Sequence, residues 1–360
     1  MSTKLYPYRV VLTLLLACLL FGSCGRKTCT LSSTSIVRSF DRQKTLNVGE
    51  AASVEVKGAL DIKCQNGTVY CLTLNPAGMI VGFEEKDPSN QHSFMKIGNG
   101  PYEMTGPVPF HTMAFHEDGG QLMSDMYNMR NKVIRINLTS SLKESRTVGI
   151  MEVELPPDLA GRGALTCLDM NTYCFQYPSP EMNRVIRGIW QNGSESVVKA
   201  QERLNHYTLD HPDGIMFNML MTSIGYNPEI QRFVEASSML NTIHLYDRKG
   251  SFAKTICLWG PADDIGGIEA GGAEGLSNTC IKLQTYPDYF AVLYSGDSLY
   301  HPTGKLPSIL FFDWSGRPLL EILCPVPVSS FDLMDGKLYL LTPASEHITV
   351  FDLPSSELSY

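Results

Sequence analysis

Six short runs of strand-forming residues recur along the chain, and they constrain its fold more than any other feature. They are "GMIVGFEEKD", "KVIRINLTSS", "RVIRGIWQNG", "TIHLYDRKGS", "SILFFDWSGR" and "HITVFDLPSS". Each passes from β-branched, aliphatic or aromatic residues into a polar turn, the composition of a strand that ends in a hairpin. Taking Phe83, Ile136, Trp190, Tyr246, Phe312 and Phe351 as reference positions, most intervals fall in the fifties, with one longer and one shorter. A second strand-like run precedes every copy: "TVYCLTL", "GGQLMSDM", "TYCFQY", "RFVEASS", "YFAVLYS" and "GKLYLLT".

A unit of strand, connection, strand, turn, strand that repeats six times describes the blades of a β-propeller, in which small antiparallel sheets pack around an axis. The 360-residue chain is long enough for one large all-β domain or two average ones. Six units give roughly 55 residues each, more than the 40–45 of a WD40 blade. The excess is assigned to inserts such as "WGPADDIGGIEAGGAEGLSNT" and "PPDLAGRGA". Few stretches keep a helical period over three turns, which argues against α/β alternation. The expected fold is an all-β, six-bladed propeller; seven blades stand as the alternative if the long interval from Tyr246 to Phe312 hides one. The last run ends close to the C-terminus, so a strand within "NVGEAASVEVKGALDI" is expected to complete the final blade and latch the ring.

Two octets, "CQNGTVYC" (Cys64 to Cys71) and "CLDMNTYC" (Cys167 to Cys174), read as the same hairpin in blades two positions apart. Their spacing matches no compact zinc pattern. With two-residue loops centred on Gly67-Thr68 and Met170-Asn171, each cysteine pair would lie directly across a hairpin, within disulfide range. In the first octet the Asn66-Gly67 dipeptide is a stronger type I′ turn signal and pairs Cys64 with Val69 instead. The disulfide expectation therefore rests mainly on Cys167 and Cys174.

The N-terminus carries Lys4 and Arg9, then the twelve residues "VVLTLLLACLLF", then small residues before a cysteine. That core is shorter than the about 20 residues a membrane span needs, and the pattern is a signal peptide. "FGSCG" resembles a bacterial lipobox, which makes 1–23 the signal peptide and Cys24 the acylated mature N-terminus; "LLAC" at Cys18 also fits but shortens the core. Residues 24–45, polar and rich in Ser and Thr, are expected to tether the lipid to a single domain over 46–360. Gly25 after the cysteine, by resemblance to Gram-negative lipoproteins, points to the outer membrane. The absence of an acidic cluster in "RKT" favours the periplasmic side over the cell surface. A net charge of −8 and no long basic run set aside a grip on nucleic-acid phosphates.

With the lipobox, the loop "KIGNGPYEM" and the ending "DGKLYLLTP" to "HITVFDL" resemble the TolB-like six-bladed propeller lipoproteins of Bacteroides and relatives. Gly98, Gly100, Pro101 and Glu103 match the family's glycine-rich loop, and Tyr102 stands where a glycine is common. The resemblance implies a fold and an envelope location, and no reaction.

No catalytic signature stands out. "GNGPYE" lacks the flanking elements and the terminal Lys-Ser/Thr of a phosphate loop, and the chain holds no G-x-S-x-G nucleophile elbow. His111 and His116 stand five apart, as do His206 and His211, so on a strand each pair points to opposite faces. His116, Asp118, Asp210, His211 and Asp213 are nonetheless the candidates to converge on the central channel as an acid/base or cation site, against the plainer reading of polar loop tips. No other cofactor is expected. Trp259, which opens the glycine-rich insert, is a candidate ligand contact, whereas Trp190 and Trp314 read as packing between blades. "DSL" at 297–299 resembles a bacterial O-glycosylation acceptor, on Ser298. The reading is a membrane-anchored, non-catalytic module that binds an envelope protein, peptide or glycan through its loops and channel mouth. A propeller hydrolase, lyase or dehydrogenase and an envelope sensor subunit are the alternatives.

Overall fold

The computed structural model describes residues 27–76, 78–157, 159–160, 164–210, 216–343 and 346–358. The expected signal peptide, Cys24, His211 and Asp213 lie outside them. The described chain begins with three short strands, β1 (Ser33–Val37), β2 (Gln43–Thr45) and β3 (Ala52–Glu55). Blade I holds β4 (Ala59–Gln65), β5 (Thr68–Thr73), β6 (Ile80–Glu84) and β7 (His92–Phe94). Blade II holds β8 (Ala114–Asp118), β9 (Gln121–Tyr127), β10 (Lys132–Asn137) and β11 (Gly149–Glu154). Blade III holds β12 (Ala164–Asp169), β13 (Thr172–Pro178), β14 (Val185–Gln191) and β15 (Ser194–Ser196). Blade IV holds β16 (Thr222–Asn227), β17 (Arg232–Ser237), β18 (Thr242–Asp247) and β19 (Ala253–Leu258). Blade V holds β20 (Ser277–Thr285), β21 (Tyr289–Ser298), β22 (Ser308–Asp313) and β23 (Pro318–Leu323). Blade VI combines β24 (Ser330–Met334), β25 (Lys337–Leu341) and β26 (His347–Asp352) with β3 from the other end of the chain.

The architecture is a six-bladed β-propeller. The six upstream runs are the second strands and the six repeated runs the third strands of the blades. The long interval after Tyr246 is filled by β19, a connection carrying a short helix, and the nine- and ten-residue strands β20 and β21, so no seventh sheet lies there. Closure is by the expected latch: Val54 stands opposite Ile348 where β3 pairs antiparallel to β26.

Alternation along each strand makes the ring. In β5, Val69 and Cys71 enter the core shared with blade VI, while Tyr70 and Leu72 enter the core shared with blade II. In β17, Phe233 faces blade III and Val234 faces blade V. One apolar core fills each of the six interfaces between neighbouring blades, so every middle strand is buried on both faces. Turn chemistry sets the registers. Asn66-Gly67, Gly119-Gly120, Asn192-Gly193 and Asp335-Gly336 all have both φ values between 48° and 86°, the type I′ geometry that joins two strands through two residues.

The first octet behaves as its turn predicts, with Cys64 opposite Val69. The second does not form the expected disulfide. A bulge between Cys167 and Asp169 sets Cys167 opposite Tyr173 and Cys174 opposite Thr166. Cys167 therefore points into the II–III core and Cys174 into the III–IV core. Cysteines on opposite faces of one sheet cannot bridge, and both thiols are free and buried. The octets do mark the β4–β5 and β12–β13 hairpins, two blades apart.

The stretch expected as a tether is, from Lys27 onward, a packed strap. β1 runs parallel to β19 as a fifth strand of blade IV, and β2 runs parallel to β23 as a fifth strand of blade V. Cys29 and Leu31 are buried at the III–IV interface and Phe40 at the IV–V interface. A Ser/Thr-rich composition suits a tether, but a few apolar residues at the right spacing are enough to zip such a segment onto exposed blade edges.

Among the described residues, three seven-residue helices decorate the connections: α1 (Leu138–Glu144), α2 (Lys199–Asn205) and α3 (Ile265–Gly271). The antiparallel order defines two faces. Turns between first and second strands and between third and fourth strands lie on one, the hairpin face. The blade-to-blade connections and the turns between second and third strands lie on the other, the connection face.

Candidate functional site

The first strand of each blade lines the axis, and two charged clusters meet there. In the upper one, the Asp61 carboxylate of β4 takes both of its oxygens to Lys282 Nζ of β20 at 2.6 Å. It also accepts from Ser330 Oγ of β24 at 2.6 Å, from Phe110 N at 2.9 Å and from Ile62 N at 2.9 Å. Blades I, V and VI and the I–II connection are thus pinned to one carboxylate. Burial alone would raise the Asp61 pKa, but the Lys282 ammonium and the donated hydrogen bonds hold it below the usual carboxylate range.

His111 sits beside this cluster, in a single 3-10 turn (Phe110–Thr112) that dips into the channel. Burial and the neighbouring Lys282 ammonium push its pKa down to about 3, so the ring is neutral at physiological pH. Its Nδ1 is buried without a hydrogen-bond partner among the described residues.

The lower cluster is built on Asp332 of β24, which is fully buried. Lys63 Nζ approaches it to 3.2 Å, Tyr286 donates its hydroxyl at 2.7 Å, and Cys64 N donates at 2.7 Å. The Lys63 ammonium also lies 5.8 Å from the ring centroids of both Phe115 and Tyr286, in cation–π range. Burial, reinforced by the Asp332 charge, raises the Tyr286 pKa well above its ordinary value and keeps the phenol protonated. Below this layer the channel opens on the hairpin face as a cavity of about 260 Å³. Phe115, Tyr226 and Tyr286 form aromatic walls, and Gln65, Asn227 and Glu229 add polar groups; five blades and the I–II connection contribute to the lining.

A third buried cluster lies off the axis between blades III and IV. Arg187 Nε meets Glu235 Oε2 at 2.8 Å, and Glu235 accepts from Tyr246 at 2.6 Å and Thr222 at 2.7 Å. Arg187 also donates to the Leu220 carbonyl at 2.6 Å. With both charges engaged, this cluster joins two blades.

The three predicted channel residues that are described, His116, Asp118 and Asp210, do not come together. His116 is on the inner strand β8, with Nδ1 3.9 Å from Asp125. Asp125 is already held by two hydrogen bonds from Arg135, at 2.6 and 2.8 Å. Asp118 ends the same strand, exposed at the hairpin face, whereas Asp210 lies in the III–IV connection at the opposite face, 3.0 Å from Lys27. Among the described residues no group of three His, Cys, Asp or Glu side chains is arranged to hold a metal. Among the described residues, His111 reaches the channel interior, carried there by the I–II connection rather than by a strand.

Trp259 is half-buried, packed between Phe40 at 6.0 Å and Tyr294 at 5.9 Å between ring centroids. Trp314 is buried in the IV–V core and Trp190 lies half-buried against the II–III core, as their positions in the repeat predict. Ser298 ends β21 and accepts a hydrogen bond from His301 N at 3.1 Å. The "GNGPYE" stretch is a tight turn in the I–II connection, where Gly100 N donates to Glu103 at 2.7 Å.

No protein-family model and no curated protein matches the chain. Solved structures do. A member of the DUF4221 family from Bacteroides vulgatus has a TM-score of 0.46 at 10% identity, over 84% of this chain and 96% of that one. Regucalcin, a calcium-binding protein from Agrobacterium tumefaciens, has 0.46 at 9% identity, over 87% and 98%. Virginiamycin B lyase from Staphylococcus aureus has 0.41 at 14% identity, over 85% and 88%. At these values the likenesses say nothing of substrate or partner.

Proposed function

We propose that the protein is a non-catalytic, lipid-anchored binding module of the cell envelope, acylated at Cys24, that takes a protein, peptide or glycan group into the channel mouth on its hairpin face. The observation that carries this reading is the state of the channel's charges. Lys282 is committed to Asp61 in a short, buried ion pair, and half-buried Lys63 to the fully buried Asp332 at 3.2 Å. Groups held in closed pairs stiffen the ring and position the aromatic walls but are not poised to move protons. A small, pre-formed, partly aromatic recess with a few convergent polar groups suits recognition of a side chain or a single sugar ring. Among the described residues no helix is long and apolar enough to cross a membrane. The lipobox, the glycine-rich loop and the last blade support membership of the TolB-like lipoproteins, on the periplasmic side of the outer membrane.

The test is site-specific photo-crosslinking in intact envelopes. A benzoylphenylalanine at Glu229, on the rim of the mouth, should yield a discrete adduct that Phe115→Ala weakens. The same probe at exposed Thr34, in the outermost strand β1 of blade IV, should not. Adducts at Thr34 with none at Glu229 would overturn the proposed site.

A further inference from the structure

We propose that the connection face at blades III and IV is the corner of the protein nearest the lipid bilayer, and that the channel mouth opens on the side turned away from it. This rests on acylation of Cys24 and adds to it a direction.

The first described residue is already fixed. Lys27 N donates to Asp264 at 3.1 Å, its carbonyl accepts from Ile265 N at 2.8 Å, and its ammonium lies 3.0 Å from Asp210 and 3.6 Å from Glu269. The Thr30 carbonyl then accepts from Arg203 at 2.8 Å and Tyr207 at 2.9 Å. Asp210 belongs to the III–IV connection and Asp264, Ile265 and Glu269 to the IV–V connection, so Lys27 stands on the connection face. The path of the strap agrees. Leu31 N reaches Thr255 Oγ1 at 2.8 Å, deeper along blade IV, and the chain then reverses. It climbs back as β1, from Ser33 opposite Lys254 to Val37 opposite Leu258.

Three residue steps separate Cys24 from Lys27, and at 3.3–3.6 Å per residue they span at most about 10 Å. The two faces stand farther apart than that. The seven residues of β4 alone rise about 23 Å at roughly 3.3 Å each. A diacylglyceryl group on Cys24 therefore cannot lie beside the hairpin face while the strap stays packed. The carboxylates around Lys27 keep this corner at headgroup level, because embedding them in hydrocarbon is costly.

The experiment uses the acylated full-length protein in phosphatidylethanolamine/phosphatidylglycerol vesicles with a headgroup-attached quencher lipid. The described native cysteines are all buried, so a single fluorophore can be placed by Glu274→Cys or Lys86→Cys. Both sites are exposed: Glu274 in the IV–V connection, Lys86 on the hairpin face of blade I, across the ring from blade IV. Quenching at position 274 should exceed that at 86 by at least threefold. Inserting 20 Gly/Ser residues between Arg26 and Lys27 should keep the protein bound but erase the difference, since such a linker averages about 25 Å end to end. Equal or reversed quenching, or a difference that survives the insertion, in protein that still binds through Cys24 would overturn the orientation and leave the anchor standing. If Cys24→Ser protein binds vesicles as well as the parent, or the parent does not bind, the anchor itself fails and the orientation falls with it.

Discussion

Replacing Lys282 by methionine is the sharpest probe of the axial cluster. The side chain keeps its length and apolar stem, but Asp61 loses the ammonium that touches both of its oxygens at 2.6 Å. Breaking one half of a buried pair costs about 3–5 kcal/mol, because the remaining charge stays buried without compensation. At about 2.1 cal/mol/K of unfolding entropy per residue over some 330 residues, 4 kcal/mol lowers the thermal midpoint by about 6 °C. The pH dependence is the diagnostic part. In the parent, the Asp61 pKa is depressed, so its contribution is present above the unfolded value of about 3.9 and is lost as pH falls through the folded value. In the variant, burial without a cation raises the Asp61 pKa, so stability is lost as pH rises from about 3.9 through the new folded value. The gap between the proteins should therefore be widest near neutrality and close toward pH 3–4. Asp61→Asn added to Lys282→Met should recover most of the loss at pH 7. Thermal and urea unfolding of the three proteins across pH 3–8 make the measurement. A constant gap at all pH values, or no recovery in the double variant, would refute the view that one unpaired charge carries the cost.

Three further outcomes follow from the packing. Leu31→Ala should destabilise by about 2–4 kcal/mol in urea melts, because Leu31 fills the III–IV core; a change below about 0.5 kcal/mol would mean that the strap is a loose tether after all. Cys167 and Cys174 should both be alkylated after unfolding in an oxidant-free buffer and resist alkylation in the native state. Burial raises both thiol pKa values and suppresses the reactive thiolate, so a Cys167–Cys174 linked peptide in mass spectra would contradict the register. Gly67→Ala should cost about 1 kcal/mol, since its Cβ meets open space but φ is +71°; a neutral result would show that the turn relaxes out of type I′.

What was legible in the chain was local. The second and third strands of every blade carry an apolar pattern with turn residues at their ends, and these act over a few positions. Asn66-Gly67 set its own hairpin, and with it the Cys64–Val69 register. Asp169 was not readable in the same way. The bulge beside it turned Cys167 away from Cys174, placing one thiol in the II–III core and the other in the III–IV core. His116 was the expected channel histidine and His111 was not, yet a one-turn dip of the I–II connection put His111 in the channel and left His116 beside Asp125.

By itself, the sequence determined an all-β chain of repeated antiparallel units and the terminal strand that latches the ring, and it favoured six blades over seven; the structure settled the count by filling the interval after Tyr246 with long strands. Hydrophobic alternation and turn geometry are short-range and repeat with every blade. Only the tertiary structure decided what stands on the axis and where the N-terminus leaves the ring. Asp61 meets Lys282 across 221 positions and Ser330 across 269, and Lys27 meets Asp264 across 237. No local pattern encodes those pairings, because they exist only once closure of the ring has fixed which blades stand next to each other.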